Sequence, residues 1–149
     1  MQISPLRDVP HFVPRIAQRA WQAWWQETDV TLQDYQAGVA AIAASAGIPC
    51  GFVAHDGGRY LGSVFLIEND LSARPTLTPW IAALWVEEDA RRQGIAAQLM
   101  QHAQDSAAAL GYAKVYLCAS RDNAPYYAAR GFDLVERDVG GLDVFSRSA

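Results

Sequence analysis

The feature that most constrains the fold is a change of period in the middle of the chain. Trp80 to Val86 is an unbroken apolar run and reads as a buried strand. A polar turn follows. Residues 92–110 then place Ile95, Leu99, Ala103, Ser106 and Leu110 on one helical face, closed by Gly111. Lys114 to Ala119 is strand-like again. A strand, a helix and a strand in that order cross over right-handedly, so 80–86 and 113–119 are expected to be near neighbours running parallel.

Antiparallel elements surround that crossover. Residues 1–10 predict a short edge strand and a proline-bounded turn. Phe12, Ile16, Ala20 and Trp24 recur at four-residue spacing and predict a helix over His11–Glu27. Thr31, with Asp34 three residues on, caps a second helix with the stripe Leu32, Tyr35, Val39 and Ile42, stopped by Gly47 and Pro49. Phe52–His55 and Tyr60–Ile67 form a hairpin through Asp56-Gly57-Gly58, and residues 70–79 a polar loop. Asp122 or Asn123 caps a short helix containing Pro125. Phe132–Arg137 and Leu142–Phe145 are strands joined at Gly140-Gly141. The order β-α-α-β-β-β-α-β-α-β-β makes the chain α+β: one domain over 1–149, with a mixed, mostly antiparallel sheet of about seven strands and about four helices.

Composition narrows the function. The chain has 149 residues, 51% hydrophobic and 19% charged, which is a globular balance. Its net charge of -4 argues against nucleic acid as a partner. No apolar run approaches the ~20 residues of a membrane span, so no membrane partner is expected. The first twenty residues mix Arg7, Asp8, Arg15 and Arg19 with prolines and do not read as a signal peptide, which makes the cytoplasm the expected location. Cys50 and Cys118 form no CxxC pair, and His11, His55 and His102 are scattered, so no metal is expected.

The segment Arg91-Arg92-Gln93-Gly94-Ile95-Ala96 opens the long helix. The first N–H groups of a helix lack internal partners and favour an anion. Gly94 and Ala96 admit a bulky phosphate, and Arg91 and Arg92 add charge. The pattern suits a pyrophosphate and is neither a Walker loop nor a dinucleotide GxGxxG. A plain helix start with a solvated basic pair is the other reading.

These six residues resemble the R/Q-x-x-G-x-G/A signature of the GNAT superfamily of acyl-CoA-dependent N-acyltransferases, and the element order over nearly the whole chain is similar to that family's. The resemblance implies that Arg91, Arg92, Gln93, Gly94, Ile95 and Ala96 bind the coenzyme A pyrophosphate. It implies a sheet splayed between 80–86 and 113–119, with the pantetheine arm in the gap against Leu84 and Val86. Tyr126-Tyr127-Ala128-Ala129-Arg130-Gly131-Phe132 looks like the family's Y-x-x-x-G-F helix end. This implies Tyr127 as the acid that protonates the leaving thiolate, a task open to a phenol of pKa ~10. Both tyrosines also read as core aromatics beside Phe132. Asn123 either contacts the cofactor or caps its helix.

The family often carries a glutamate on the strand before the phosphate turn, and this strand has none. Glu68 and Asp70, at the end of the preceding strand, are the candidates for receiving the amine proton, with a solvated strand end as the alternative. Glu68 is assigned to catalysis and Asp70 to the acceptor. Trp21, Trp24 and Trp25 either wall an acceptor site or cover the sheet; Trp25 and Trp80 are assigned to substrate. The implied activity is acetyl transfer from acetyl-CoA to a primary amine, either a small molecule or a peptide N-terminus, by direct attack in a ternary complex. Alternatives are a non-catalytic acyl-CoA sensor, and a toxin-like enzyme acting on charged tRNA, which the acidic balance disfavours. Cys118 lacks an adjacent histidine or lysine and is expected to be inert. Exposed aromatics and edge strands suggest a homodimer.

Overall fold

The computed structural model describes residues 1–149. The strands are β1 (Gln2–Pro5), β2 (Cys50–Asp56), β3 (Arg59–Ile67), β4 (Trp80–Val86), β5 (Lys114–Ala119), β6 (Asp133–Val139) and β7 (Leu142–Ser148). The helices are α1 (Val13–Ala20), α2 (Leu32–Ala44), α3 (Ile95–Ala109) and α4 (Ala124–Ala129). One seven-stranded sheet runs β1-β2-β3-β4-β5-β7-β6. Only β4 and β5 are parallel, as the crossover through α3 requires. No helix is long and apolar enough to cross a membrane.

Alternation along the strands sends side chains to two cores. Leu61, Val64 and Leu66 of β3 pack with Ile95, Leu99, Met100 and Ala103 of α3 and with Phe132. Tyr60 and Phe65 face the other way and pack with Phe12, Ile16 and Ala17 of the α1 region and Val39 and Ala43 of α2. The sheet is therefore sandwiched between α1 and α2 on one face and α3 and α4 on the other.

Two expected helices change shape for local reasons. The long helix starts at Ile95 instead of residue 92, because Arg92 and Gly94 take φ of +64° and +78°. A right-handed helix excludes such angles. Its buried stripe ends at Ala107; Ser106 is half-buried and Leu110 is exposed at the C-cap. The first helix ends at Ala20 and continues as a π-helical turn over Trp21–Trp25. The wider turn inserts a residue into the helical phase. Trp24 therefore leaves the sheet face and is 47% exposed. The cap of α2 forms as expected, the Asp34 N–H donating to Thr31 Oγ1 at 3.1 Å.

The centre of the sheet carries the irregularity that matters. Ser63 pairs Trp85 and Phe65 pairs Ala82, so Val64 opposes both Ala83 and Leu84. This is a β-bulge, with Ala83 at φ +52°. On its other side β4 meets β5 at one register pair, Trp80 with Tyr116. From Ile81 to Val86 the strands diverge.

Gly62 faces the end of the bulged strand. A Cβ there would lie 2.6 Å from the Trp85 carbonyl oxygen and 3.3 Å from Val86 Cα. Gly62→Ala is expected to destabilise the fold by about 1–3 kcal/mol through overpacking. The check is urea unfolding, where the midpoint falls and the slope stays constant.

Candidate active site

The divergence of β4 from β5 opens a cleft of about 700 Å³. Seventeen of its twenty-two lining residues are hydrophobic. Its floor comes from the bulged stretch of β4, Ile81 to Leu84, and from Leu117 to Ala119 of β5. Asn123 and Tyr127 of the α4 segment form one wall, and Trp24, Trp25, Asp34, Tyr35 and Val39 form the other.

Past the end of β4, the chain turns into α3. Glu87 N–H donates to Leu61 O and Arg91 N–H to Glu88 O. From Arg92 to Ala97 no backbone N–H meets a protein acceptor, and the first regular bond is Gln98 N–H to Gly94 O. A consecutive row of free N–H groups at a helix start is an anion cradle. Space is open around Gly94, with nothing within 4 Å of where a Cβ would stand. Arg91 is partly committed: its Nε donates to Val86 O at 2.8 Å, and its guanidinium lies 4.9 Å from the Trp85 ring centroid. Arg92 and Gln93 are exposed, Ile95 is buried in the core, and Ala96 is half-buried. Leu84 lines the cleft. Val86 is buried, with its carbonyl taken by Arg91.

Tyr127 is held edge-on by its neighbours. Its ring centroid lies 5.2 Å from Tyr126 and 5.9 Å from Phe132, both near perpendicular. Burial, then Tyr126 and Cys118, push its phenol above the ordinary range. The group is therefore protonated across neutral pH. Tyr126 lies outside the cleft lining and packs beneath Arg130, whose guanidinium is 3.6 Å from its ring centroid.

The expected carboxylates separate. Glu68 and Asp70 are both exposed past the end of β3, but only Asp70 lines the cleft. Asp70 Oδ2 accepts from the Cys118 thiol at 3.5 Å. Burial against the cleft wall raises the Asp70 pKa, and the thiol hydrogen bond partly offsets this. Burial and the Asp70 charge push the Cys118 thiol up to about 12. The same two causes push the Tyr35 phenol up to about 12. A thiol so disfavoured as thiolate is a poor nucleophile.

Two tryptophan assignments need correction. Trp80 is fully buried, not a border of the cleft. It packs with Val139 and Val144 and donates its indole N–H to Leu77 O, because a side chain at this end of β4 points under the 70–79 loop. Trp24, read as sheet cover in one alternative, lines the cleft beside Trp25. Asp34 and Tyr35 were not expected there. Tyr35 is half-buried and Asp34 exposed, and the sequence displays neither burial nor which side chains border a cleft. Glu87, just past the end of β4, is held by three hydrogen bonds. Arg19 Nε donates to both of its carboxylate oxygens, at 2.9 and 2.8 Å, and Trp85 Nε1 donates to one at 3.1 Å. No cluster of three or more His, Cys, Asp or Glu is placed to hold a metal ion.

Comparison with known proteins follows the same lines. Residues 11–132 match the acetyltransferase (GNAT) family. No curated protein matches the chain. An aminoglycoside 6'-N-acetyltransferase solved with coenzyme A superposes with a TM-score of 0.76 at 16% identity, over 99% of this chain and 97% of that one. An acyl-CoA N-acyltransferase from Pseudomonas aeruginosa gives 0.68 at 20% identity, over 98% of each. A GNAT acetyltransferase from Staphylococcus aureus Mu50 gives 0.71 at 12% identity, over 99% of each. At these identities the likeness is one of fold.

Cys118 offers a direct test of the cleft electrostatics. Its alkylation by iodoacetamide at pH 8 is expected to be at least about tenfold slower than that of a free cysteine. Asp70→Asn removes the charge that disfavours the thiolate and should speed the reaction. Peptide mapping separates Cys118 from Cys50.

Proposed function

The chain belongs to the acetyltransferase (GNAT) family, and from that premise we propose that it transfers the acetyl group of acetyl-CoA to a primary amine by direct attack in a ternary complex. One observation carries the reading: the gap between β4 and β5 has free backbone N–H groups at its end and Tyr127 on its wall. Acetyl-CoA supplies an activated acyl carbon and a thiolate leaving group.

The chain's residues divide the remaining work. The N–H groups from Arg92 to Ala97, Ile95 included, hold the pyrophosphate with Arg92 and Gln93 beside them, while Gly94 keeps the approach open. Arg91 fixes the turn through Val86 O and adds charge. Leu84 and Val86 border the gap for the pantetheine arm, whose amides resemble a missing strand. Asn123 contacts the donor from the α4 side. A β4 N–H near the bulge polarises the thioester carbonyl, as an oxyanion donor does.

Proton traffic follows the two walls. Asp70, in place of Glu68, which does not line the cleft, receives a proton from the acceptor ammonium, and its raised pKa makes it a better base near neutrality. The amine nitrogen then bonds the carbonyl carbon and the C–S bond breaks. Tyr127 gives its hydroxyl proton to the departing sulfur. The nitrogen's surplus proton leaves through solvent, and Tyr127 is reprotonated from solvent. The products are an amide and a free thiol.

A sensor that binds acyl-CoA without turnover is favoured by one feature, the lack of any carboxylate between Ile81 and Val86. Thiol release that depends on added amine rejects it.

Two outcomes follow. Acetyl-CoA at 100 times Kd should add roughly 2.7 kcal/mol and raise Tm by roughly 5–10 °C. Tyr127→Phe should keep that rise while kcat falls by ~10²–10⁴-fold. An unchanged kcat removes Tyr127 from the chemistry. In the pH profile, the acid limb of kcat/KM should lie above the ordinary carboxylate range, because activity needs Asp70 deprotonated and its pKa is raised. Asp70→Asn should abolish that limb. The alkaline limb from Tyr127 should lie above the ordinary phenol range.

A further inference from the structure

We propose that the acceptor is a lipophilic primary monoamine, an ammonium on an arylalkyl or bulky alkyl body with no carboxylate; the assignment rests on the amine-acetylation reading above. Trp24 and Trp25 stand at the cleft 47% and 40% exposed. Large aromatic surface left open beside a cavity marks a place where an apolar partner sits. Trp25 and Tyr35 have ring centroids 6.1 Å apart at 35°, and Trp24 lines the same cleft.

Charge sets the rest of the class. The only ionisable acids on the lining other than phenols and the thiol are Asp34 and Asp70, and no lysine, arginine or histidine lines the cleft. An ammonium finds a carboxylate at Asp70 and ring faces nearby. An acceptor carboxylate would meet two like charges and no counter-charge. A polyhydroxylated amine would exchange water for a mostly apolar wall and leave hydroxyls unpaired. A second ammonium would have only Asp34 left to pair with, an exposed side chain where water weakens the pair.

The test measures initial rates of thiol release at fixed acetyl-CoA with 2-phenylethylamine, spermidine, kanamycin and L-glutamate as acceptors. Calorimetric titration of 2-phenylethylamine into the CoA-saturated protein runs alongside. The expected kcat/KM for 2-phenylethylamine exceeds each of the others by about tenfold or more. Trp25→Ala should raise the KM for 2-phenylethylamine by about tenfold while the KM for ethylamine moves less than about threefold. That split separates a contact with the apolar body from general damage. A higher kcat/KM for any of the three polar amines overturns the acceptor class and leaves acetyl transfer standing. The class is also overturned if 2-phenylethylamine shows neither heat of binding nor turnover. Binding of 2-phenylethylamine without thiol release from any amine overturns the acetyl-transfer reading instead.

Discussion

β4 cannot satisfy both of its edges. Its register with β3 holds on one side through Gly62, Ser63, Phe65, Leu66 and Ile67. On the other side α3 must start, span its length and return the chain to β5. The compromise is a single β4–β5 register pair at Trp80 and a bulge at Ala83–Leu84 that bends the strand away. Unpaired backbone in a sheet interior is costly unless something else pairs with it. The cleft, the free N–H row and the placement of Tyr127 are all consequences of where β4 departs. A sheet zipped along β4 and β5 would have a better ladder and no cavity.

The same geometry sets the electrostatics. The cleft floor is apolar, so a group desolvated against it is pushed toward its neutral form. Asp70, Cys118, Tyr35 and Tyr127 all shift in that direction, with burial as the largest cause in each. For a phenol, the shift keeps the proton available to be given away. For a carboxylate, it raises basicity toward neutrality. For the thiol, it removes nucleophilicity, which leaves Cys118 as a hydrogen-bond donor to Asp70. One environment thus separates the parts that four titratable groups can play.

How much of this was legible in the sequence depends on where the information is stored. The order of elements along the chain and the parallel crossover follow from period and from Gly111, so they were legible; the place of β7 between β5 and β6 was not read from the sequence. The Arg91–Ala96 turn was legible because small residues and positive charges at a strand-to-helix junction are side-chain facts. The true helix start was not, because it depends on Arg92 adopting φ +64°, a conformation that residue type does not announce. Trp24 was placed by a steady helical period, and a π turn breaks that period. Glu68 and Asp70 are two residues apart, and nothing in their chemistry says which faces the cleft. Trp80 was misread because an aromatic at a strand end looks the same whether it borders a groove or fills the space under a loop.

The Arg19–Glu87–Trp85 contact joins the two halves of the site. Glu87 lies one residue past the end of β4, where the turn into α3 begins. Arg19 lies in α1, two residues before the π turn that carries Trp24 and Trp25. The single Arg19 Nε–H is shared between the two carboxylate oxygens, a charge-assisted three-centre bond that holds α1 at hydrogen-bond distance from the end of β4. Glu87 is only 14% exposed in its side chain, so screening by water is limited. Trp85 adds a third hydrogen bond to Glu87 and packs edge-on against Trp24 at 6.3 Å. Arg91 lies over the opposite part of that chain of contacts, beside the Trp85 ring. The aromatic wall and the anion cradle are thereby braced to a common side chain at the end of the bulged strand. Displacing the turn by an ångström would displace the tryptophans with it, so the two ends of the cleft hold a defined separation without any direct contact between them.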